Sequence, residues 1–256
     1  MITVEDVSKT FDEGRSFAVR GVNLEIPEGM LLVLLGESGC GKTTTLKMIN
    51  RLVDLSAGRI LVGGEDIQAT DPVQLRRRIG YVFQEIGLFP HMTVADNIGT
   101  LPRLLRWSRQ ETNQRIRELL EMVGLGAAEL ESRYPRELSG GQRQRVGVAR
   151  ALAARPKVLL MDEPFGALDP ITRDELQDQF KSLQGTLGLT VVLVTHDMTE
   201  ALLLADRVVV MKEGRIVGEG TPAELMTKAQ DPYVKKLMDM PKRQAGRVDR
   251  ISGTKA

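Results

Sequence analysis

The chain is short of three things, and each shortage narrows what it does. It has one cysteine, Cys40, in 256 residues, so no internal disulfide forms and a reducing compartment suits it. It has almost no excess of charge: 35 basic against 34 acidic residues leave a formal net charge of +1. Bulk electrostatics therefore favours neither nucleic acid nor an anionic membrane as a partner. No apolar run approaches the roughly 20 residues that cross a bilayer as a helix. The opening MITVEDVSKTF has neither the basic start nor the long apolar segment of a signal peptide, and the expectation is a cytoplasmic chain. Internal repeats are missing too, and the sole compositional shift is a polar, basic stretch after Pro232 (Lys235, Lys236, Lys242, Arg243, Arg247, Arg250), whose last dozen residues are expected to fray. What remains is an ordinary balance, 42% hydrophobic and 27% charged, at a length for one large domain or two small ones.

The most informative stretch is MLLVLLGESGCGKTTTLKMIN, Met30 to Asn50. Its apolar run, Met30 to Leu35, has the length and Leu/Val content of a strand buried on both faces. The run stops at Gly36, where Gly36-Glu37-Ser38-Gly39-Cys40-Gly41-Lys42-Thr43 fits the phosphate-binding pattern G-x-x-x-x-G-K-[ST] at every fixed position. The glycines let backbone N–H groups turn inward around an anion, and the following helix aims its positive end at the same place. Lys42 is expected on the β- and γ-phosphates, Thr43 on a Mg²⁺ ion, and Thr44 in the first turn beside them. The helix is expected to pack through Leu46, Ile49, Leu52 and Val53. Cys40, with no base or second thiol nearby in sequence, reads as an alkylation-sensitive position without a chemical role.

Other apolar runs end in polar residues in the same way. Ile79 to Phe83 ends at Gln84, which reads as a ligand of the metal or attacking water, or as a surface amide. Val158 to Met161 delivers Asp162 and Glu163. Adjacent residues of an extended chain face opposite ways, so Asp162 is directed at Mg²⁺ and Glu163 at a water. Leu189 to Val194 leads to Thr195-His196-Asp197, and His196 reads equally as a phosphate contact or as a structural histidine. In an open parallel sheet such strand ends share the ligand edge.

Between these strands the pattern changes. Residues 2 to 29 read as short, mostly antiparallel strands, with Phe11 in a polar loop, either stacking on a purine or simply packing. From Pro90 to Arg155 the chain reads as helical. Ser108 and Glu111 form a capping box ahead of Ile116, Leu119, Leu120 and Val123, and Gly124 sits where a C-terminal cap belongs. Arg103, Arg106, Arg109, Arg115 and Arg117 mostly read as its solvated side, and Trp107 as core or as an anchor for a partner. Leu138-Ser139-Gly140-Gly141-Gln142 opens another helix, either as a plain capping box or as a second anion site. Asp169-Pro170 starts a helix with Leu176, Phe180, Leu183 and Leu187 as its buried stripe.

Taken in order, GESGCGKT, Gln84, LSGGQ, VLLMDE, ALD and His196 resemble the nucleotide-binding subunit of an ATP-binding-cassette (ABC) transporter, over about residues 1–230. LSGGQ discriminates, because other phosphate-loop NTPases lack it. The resemblance implies an α/β fold: a P-loop NTPase (RecA-like) parallel-sheet core, about 1–86 and 156–230, with an N-terminal antiparallel β-subdomain and an inserted helical signature subdomain, about 87–155. Residues 231–256 are left as a short helix and basic tail. It further implies that Phe11 is the adenine-stacking aromatic, where the family more often has Tyr. Gln84 becomes the Q-loop, Asp162 the Mg²⁺-associated acid, Glu163 the catalytic base, Asp169 the D-loop and His196 the switch histidine. ATP and Mg²⁺ are the implied cofactors.

Members act as head-to-tail homodimers, so each ATP would lie between one phosphate loop and the partner's Ser139, Gly140, Gly141 and Gln142. Integral-membrane permease subunits are expected against about Gln84–Asn97, an extracytoplasmic solute-binding protein acts indirectly, and no nucleic acid is involved. The place implied is the cytoplasmic face of the inner membrane. The segment QEIGLFPHMTVADN is similar to bacterial importers, and Ile86-Gly87 to the subgroup handling glycine betaine, choline or related quaternary amines. Many of that subgroup continue into two CBS modules, which are not expected here. The alternatives are the ATPase of an exporter or lipoprotein-releasing complex, and a non-transport ABC ATPase. Against the last, neither a long coiled-coil insertion nor a second cassette is present.

Overall fold

The computed structural model describes residues 1–241 and 243; the expected basic, frayed tail lies, beyond residue 243, outside the described residues. In chain order the elements are β1 (Ile2–Lys9), β2 (Val19–Ile26), β3 (Leu31–Leu35), α1 (Lys42–Ile49), β4 (Ala57–Val62), β5 (Glu65–Asp66), α2 (Pro72–Arg78) and β6 (Ile79–Val82). There follow α3 (Val94–Leu104), α4 (Arg109–Met122), α5 (Ala127–Leu130), α6 (Gly140–Ala151), β7 (Val158–Asp162) and α7 (Pro170–Leu187). The chain then forms β8 (Thr190–Thr195), α8 (Met198–Leu204), β9 (Arg207–Lys212), β10 (Arg215–Gly220), α9 (Pro222–Lys228) and α10 (Pro232–Met238).

The apolar runs make one sheet of order β10-β9-β3-β8-β7-β6. Its neighbours run parallel except at the β9–β10 hairpin. These strands read as unbroken apolar runs because both faces are covered. Leu31, Val33, Leu35, Leu159, Met161, Val191 and Leu193 face a core shared with helices α3, α4, α6, α7 and α8. The alternate residues Leu32, Leu34, Leu160, Val192 and Val194 face a second core with α1, α2 and the other sheet. That second sheet is antiparallel, of order β2-β1-β4-β5, as expected for the first 29 residues.

Local signals place the helix starts. Ser108, Ser139 and Thr221 each accept from the backbone N–H three residues on, while Glu111, Gln142 and Glu224 reach back to the cap, so all three capping boxes form. Asp169 caps α7 ahead of Pro170. The buried stripes are less regular than their spacing suggests. Helix α1 ends at Ile49, so Leu52 lies beyond it and is exposed. Along α7, Leu176 and Phe180 are buried but Leu187 is exposed; Gln177 and Gln184 are buried instead. Gln184 donates from Nε2 to the carbonyls of Gly29 (2.8 Å) and Leu189 (2.9 Å), so a polar residue there fastens the helix to the start of β3.

Arg115 also departs from the solvated side expected for it. It is buried, and its guanidinium donates to the carbonyls of Leu152 (3.0 Å) and Ala153 (3.4 Å) at the end of α6. Of the two, the Leu152 carbonyl also accepts from the Arg155 N–H at 3.1 Å. Trp107 is half-buried, with the Arg155 guanidinium 5.7 Å from its ring centroid, so it lies at the surface rather than in the core. Replacing Arg115 with Gln removes the charge-assisted bonds to both carbonyls and is expected to lower the unfolding free energy by about 2 kcal/mol. A reduced urea midpoint at unchanged slope would register it.

Candidate functional site

The phosphate-loop sequence folds as a tight arch between β3 and α1. Gly36, Cys40, Gly41 and Lys42 are buried, while Glu37, Ser38 and Gly39 form an exposed rim. Two glycines are required by close contacts. A Cβ on Gly36 would lie 2.3 Å from the Met211 carbonyl oxygen, and one on Gly41 (φ 106°) would lie 2.4 Å from that of Ala18. The Gly214 N–H donates to the Cys40 carbonyl at 3.1 Å, which ties the arch to the β9–β10 turn. Lys42, only 4% exposed, turns back over the arch. Its ammonium donates to the carbonyls of Gly36 (2.8 Å) and Glu37 (2.9 Å), so a buried cation is satisfied by the loop itself.

Four more expected residues arrive at the same edge because their strands are parallel and in register. Leu35 pairs with Thr195, Asp162 with Val194 and Val82 with Met161, so Gln84, Asp162, Glu163 and His196 all follow strand ends adjacent to the arch. The Thr43 hydroxyl donates to Asp162 Oδ1 at 2.8 Å. Glu163 is turned the other way, with left-handed backbone (φ 45°) and its N–H donating to the Val194 carbonyl. Such a conformation in a non-glycine residue is a mark of functional sites. Gln84 Nε2 donates to Glu163 Oε2 at 3.3 Å, and His196 Nδ1 lies 3.1 Å from the same oxygen. Among the described residues both contacts fall on Oε2. An amide, an imidazole and a carboxylate from three strands thus meet at one atom.

The remaining expected residues stand apart from this cluster. Phe11 is 68% exposed on the loop joining β1 to β2. Asp12 shapes that loop: hydrogen bonds from the Ser16 hydroxyl and amide and from Thr10 hold its carboxyl down at about 2. The Lys9 ammonium lies 4.9 Å from the Phe11 ring centroid, which leaves the ring on the surface and not in a core. Ser139 is exposed at the start of α6, its polar groups spent on the capping box. Gly141 lies against α7, where a Cβ would come within 2.6 Å of Thr172 Cγ2. Asp169 accepts from the Thr172 N–H at 3.1 Å as the cap of α7.

Two residues at the site were not anticipated. Lys47, one turn beyond Thr43, places positive charge near Asp162, and its spacing along α1 is the signal that could have found it. Tyr81, on β6, has a phenol pushed well above its ordinary value by burial, with Asp162 adding to the effect. Both border a cavity of about 650 Å³ that extends from Asp162 and Gln84 past Phe89 to Leu101.

Comparison with known proteins follows the same lines. A family described as ABC transporter matches residues 19–166. The choline transport ATP-binding protein OpuBA of Bacillus subtilis is 55% identical over 99% of this chain and 68% of its own length. The glycine betaine/carnitine/choline transport ATP-binding protein OpuCA of Bacillus subtilis is 55% identical over 93% of this chain. The chain spans only 62% of that second relative. Among solved structures, a dimeric post-hydrolysis state of an ATP-binding cassette bound to ADP and Pi superposes with a TM-score of 0.77 at 35% identity, covering 86% of this chain and 98% of that one.

Burial pushes the Asp162 carboxyl above its ordinary 3.8, against the opposing Thr43 hydrogen bond and the charge of Lys47. A folded-state value raised above the unfolded one means that the stability supplied by the protonated form is present at low pH and lost as pH rises through the raised value. Asp162→Asn keeps an acceptor for Thr43 and removes that loss. Without nucleotide it should melt higher than wild type near neutral pH, with the advantage shrinking as pH falls through the raised value and the wild-type carboxylate regains its proton. Calorimetry from neutral to acid pH decides, and an advantage independent of pH would show that ionisation is not its cause.

Proposed function

Because the chain belongs to the ABC transporter family, we propose that it is the ATP-hydrolysing subunit of an importer for choline, glycine betaine or a related quaternary-amine solute. The observation that carries the enzymatic half is Glu163, held by Gln84 and His196 on one oxygen beside the Thr43–Asp162 pair. The substrate half rests on the names of the two Bacillus relatives and on the Ile86-Gly87 turn after Gln84.

In this reading the arch from Gly36 to Thr44 wraps the β- and γ-phosphates with its N–H groups, and Lys42 trades the carbonyls of Gly36 and Glu37 for phosphate oxygens. Phe11, exposed on a pre-shaped loop, offers a face to the adenine. Thr43 and Asp162 fit a Mg²⁺ ion: both are hard oxygen donors, they stand 2.8 Å apart, and the acid is buried without a full counter-charge. Mg²⁺ prefers one or two such protein ligands together with waters and phosphates. When bound, it would offset the negative charge that develops on the transferred phosphoryl group. Glu163 orients a water in line with the γ-phosphate and takes its proton, while Gln84 and His196 hold the carboxylate by its other oxygen.

The site is half of a larger one. Ser139, Gly140, Gly141 and Gln142 present an exposed helix start suited to phosphate, yet their own hydrogen bonds run to each other. A second copy arranged head to tail would bring them over the γ-phosphate, and Asp169 would lie at the same seam. The dimeric ADP-bound relative supports that arrangement. We read residues 1–86 and 156–230 as the nucleotide-binding core and 87–155 as the helical part that the partner's ATP engages. Residues 84–97 then carry the change of state to permease subunits at the inner face of the membrane. No described helix is itself long and apolar enough to cross one.

Glu163→Gln removes the base but not the phosphate arch. Turnover should fall about 10²–10⁴-fold with MgATP still bound, dimers should accumulate on gel filtration, and uptake of labelled choline and betaine into vesicles carrying the transporter should stop. Unchanged dimer content and turnover would sink the base assignment, and wild-type vesicles that take up neither solute would sink the substrate. Ser139→Arg should abolish hydrolysis while the monomer binds ATP with near-normal affinity by calorimetry. Lost monomer affinity would place Ser139 in its own subunit's site instead.

A further inference from the structure

Helix α6 has two ends with different occupations. Its first turn carries Ser139, and its last carries Arg150, whose side chain leaves the helix and grips the segment that follows Gln84. Arg150 Nη1 donates to the Gly87 carbonyl at 2.6 Å and Nη2 to that of Ile86 at 2.8 Å. The guanidinium also lies 5.9 Å from the Phe89 ring centroid, within cation–π range. A planar fork meeting two successive carbonyls fixes their orientation as well as their position.

The gripped corner is strained. Ile86 has φ 25° and Gly87 φ 61°, and left-handed backbone is costly for a β-branched residue. The strain persists because α6 holds the corner from two sides. Arg150 takes its carbonyls, and Ile86 Cγ2 lies against Gly147, close enough that a Cβ there would stand 3.0 Å away. One turn of α6 therefore dictates the conformation of 86–87, two residues from an amide bonded to Glu163.

We infer that Arg150 is the positioning residue that couples the Ser139 end of α6 to the Gln84–Asn97 segment, so that engagement of a partner's nucleotide at one end moves the membrane-directed segment at the other. The inference rests on the reading that 84–97 carries the change of state. A rigid helix of twelve residues carries a displacement of its N-terminus to its C-terminus, and the strained corner is held there by the guanidinium. Release of the fork lets Ile86 relax and separates the two ends.

The test follows amide hydrogen exchange with and without the Mg²⁺ complex of the β,γ-imido analogue of ATP. In wild type the analogue should alter exchange both at 36–44 and at 84–97. In Arg150→Gln, exchange of residues 85–89 without nucleotide should be about tenfold faster, the loss expected for charge-assisted hydrogen bonds. The response at 36–44 should survive while that at 84–97 disappears. Gly147→Ala, which keeps the guanidinium but displaces Ile86, should give the same split. Arg115→Gln loses comparable contacts at the end of the same helix and should keep both responses, which separates coupling from stability. A retained response at 84–97 in Arg150→Gln or Gly147→Ala overturns the coupling role alone, as does its loss in Arg115→Gln. A wild type that responds at 36–44 but not at 84–97 overturns the reading of the segment, and the role of Arg150 with it.

Discussion

The fold is organised by how close one stretch of backbone must come to two others. At Gly36 and Gly41 the phosphate arch leaves no room for a side chain against the carbonyls of Met211 and Ala18, one at the end of β9 and the other at the threshold of β2. The arch thus lies in the seam between the parallel and antiparallel sheets, and the Gly214 N–H bonded to Cys40 closes the third side. A loop fixed by backbone contacts on three sides keeps its arched shape with no ligand to organise it. This pre-organisation avoids the ordering cost that a free glycine-rich loop would incur on binding an anion.

Much of the fold was legible because its signals are local. A strand covered on both faces must be apolar throughout, so β3, β7 and β8 stand out as runs, and each run ends at the ligand edge. Capping boxes at Ser108, Ser139 and Thr221 join residues three apart and need no tertiary knowledge. The errors arise where the partner is distant. Gln184 and Arg115 look like surface residues until their carbonyl partners appear 155 and 37 or 38 residues away. Leu52 and Leu187 look like core residues until their helices stop or turn away. Helical spacing gives the face of a helix but not how far its cover extends.

The site divides in the same manner. Each of Gln84, Asp162, Glu163 and His196 could be placed at the sheet edge from its preceding apolar run. That Gln84 and His196 meet the same oxygen of Glu163 could not, since it depends on the left-handed turn at Glu163 and on the register of three strands. Arg150 left no trace at all: a basic residue in the last turn of a helix is ordinary favourable placement against the dipole. Only the path of residues 86–87 turns it into a clamp.

The two charged residues proposed to flank the phosphates are in opposite conditions. Lys42 is buried but fully bonded to loop carbonyls, whereas Asp162 is buried with one hydroxyl and a raised pKa. A magnesium nucleotide would change both, replacing good bonds at Lys42 and relieving a poor environment at Asp162. The net gain at Lys42 is small, because bonds are exchanged rather than created; the larger gain lies at the acid, where a cation removes a desolvation penalty. Metal and nucleotide would therefore bind best together. On the reading proposed, the exposed start of α6 and the segment that Arg150 holds are where this chain acts on another.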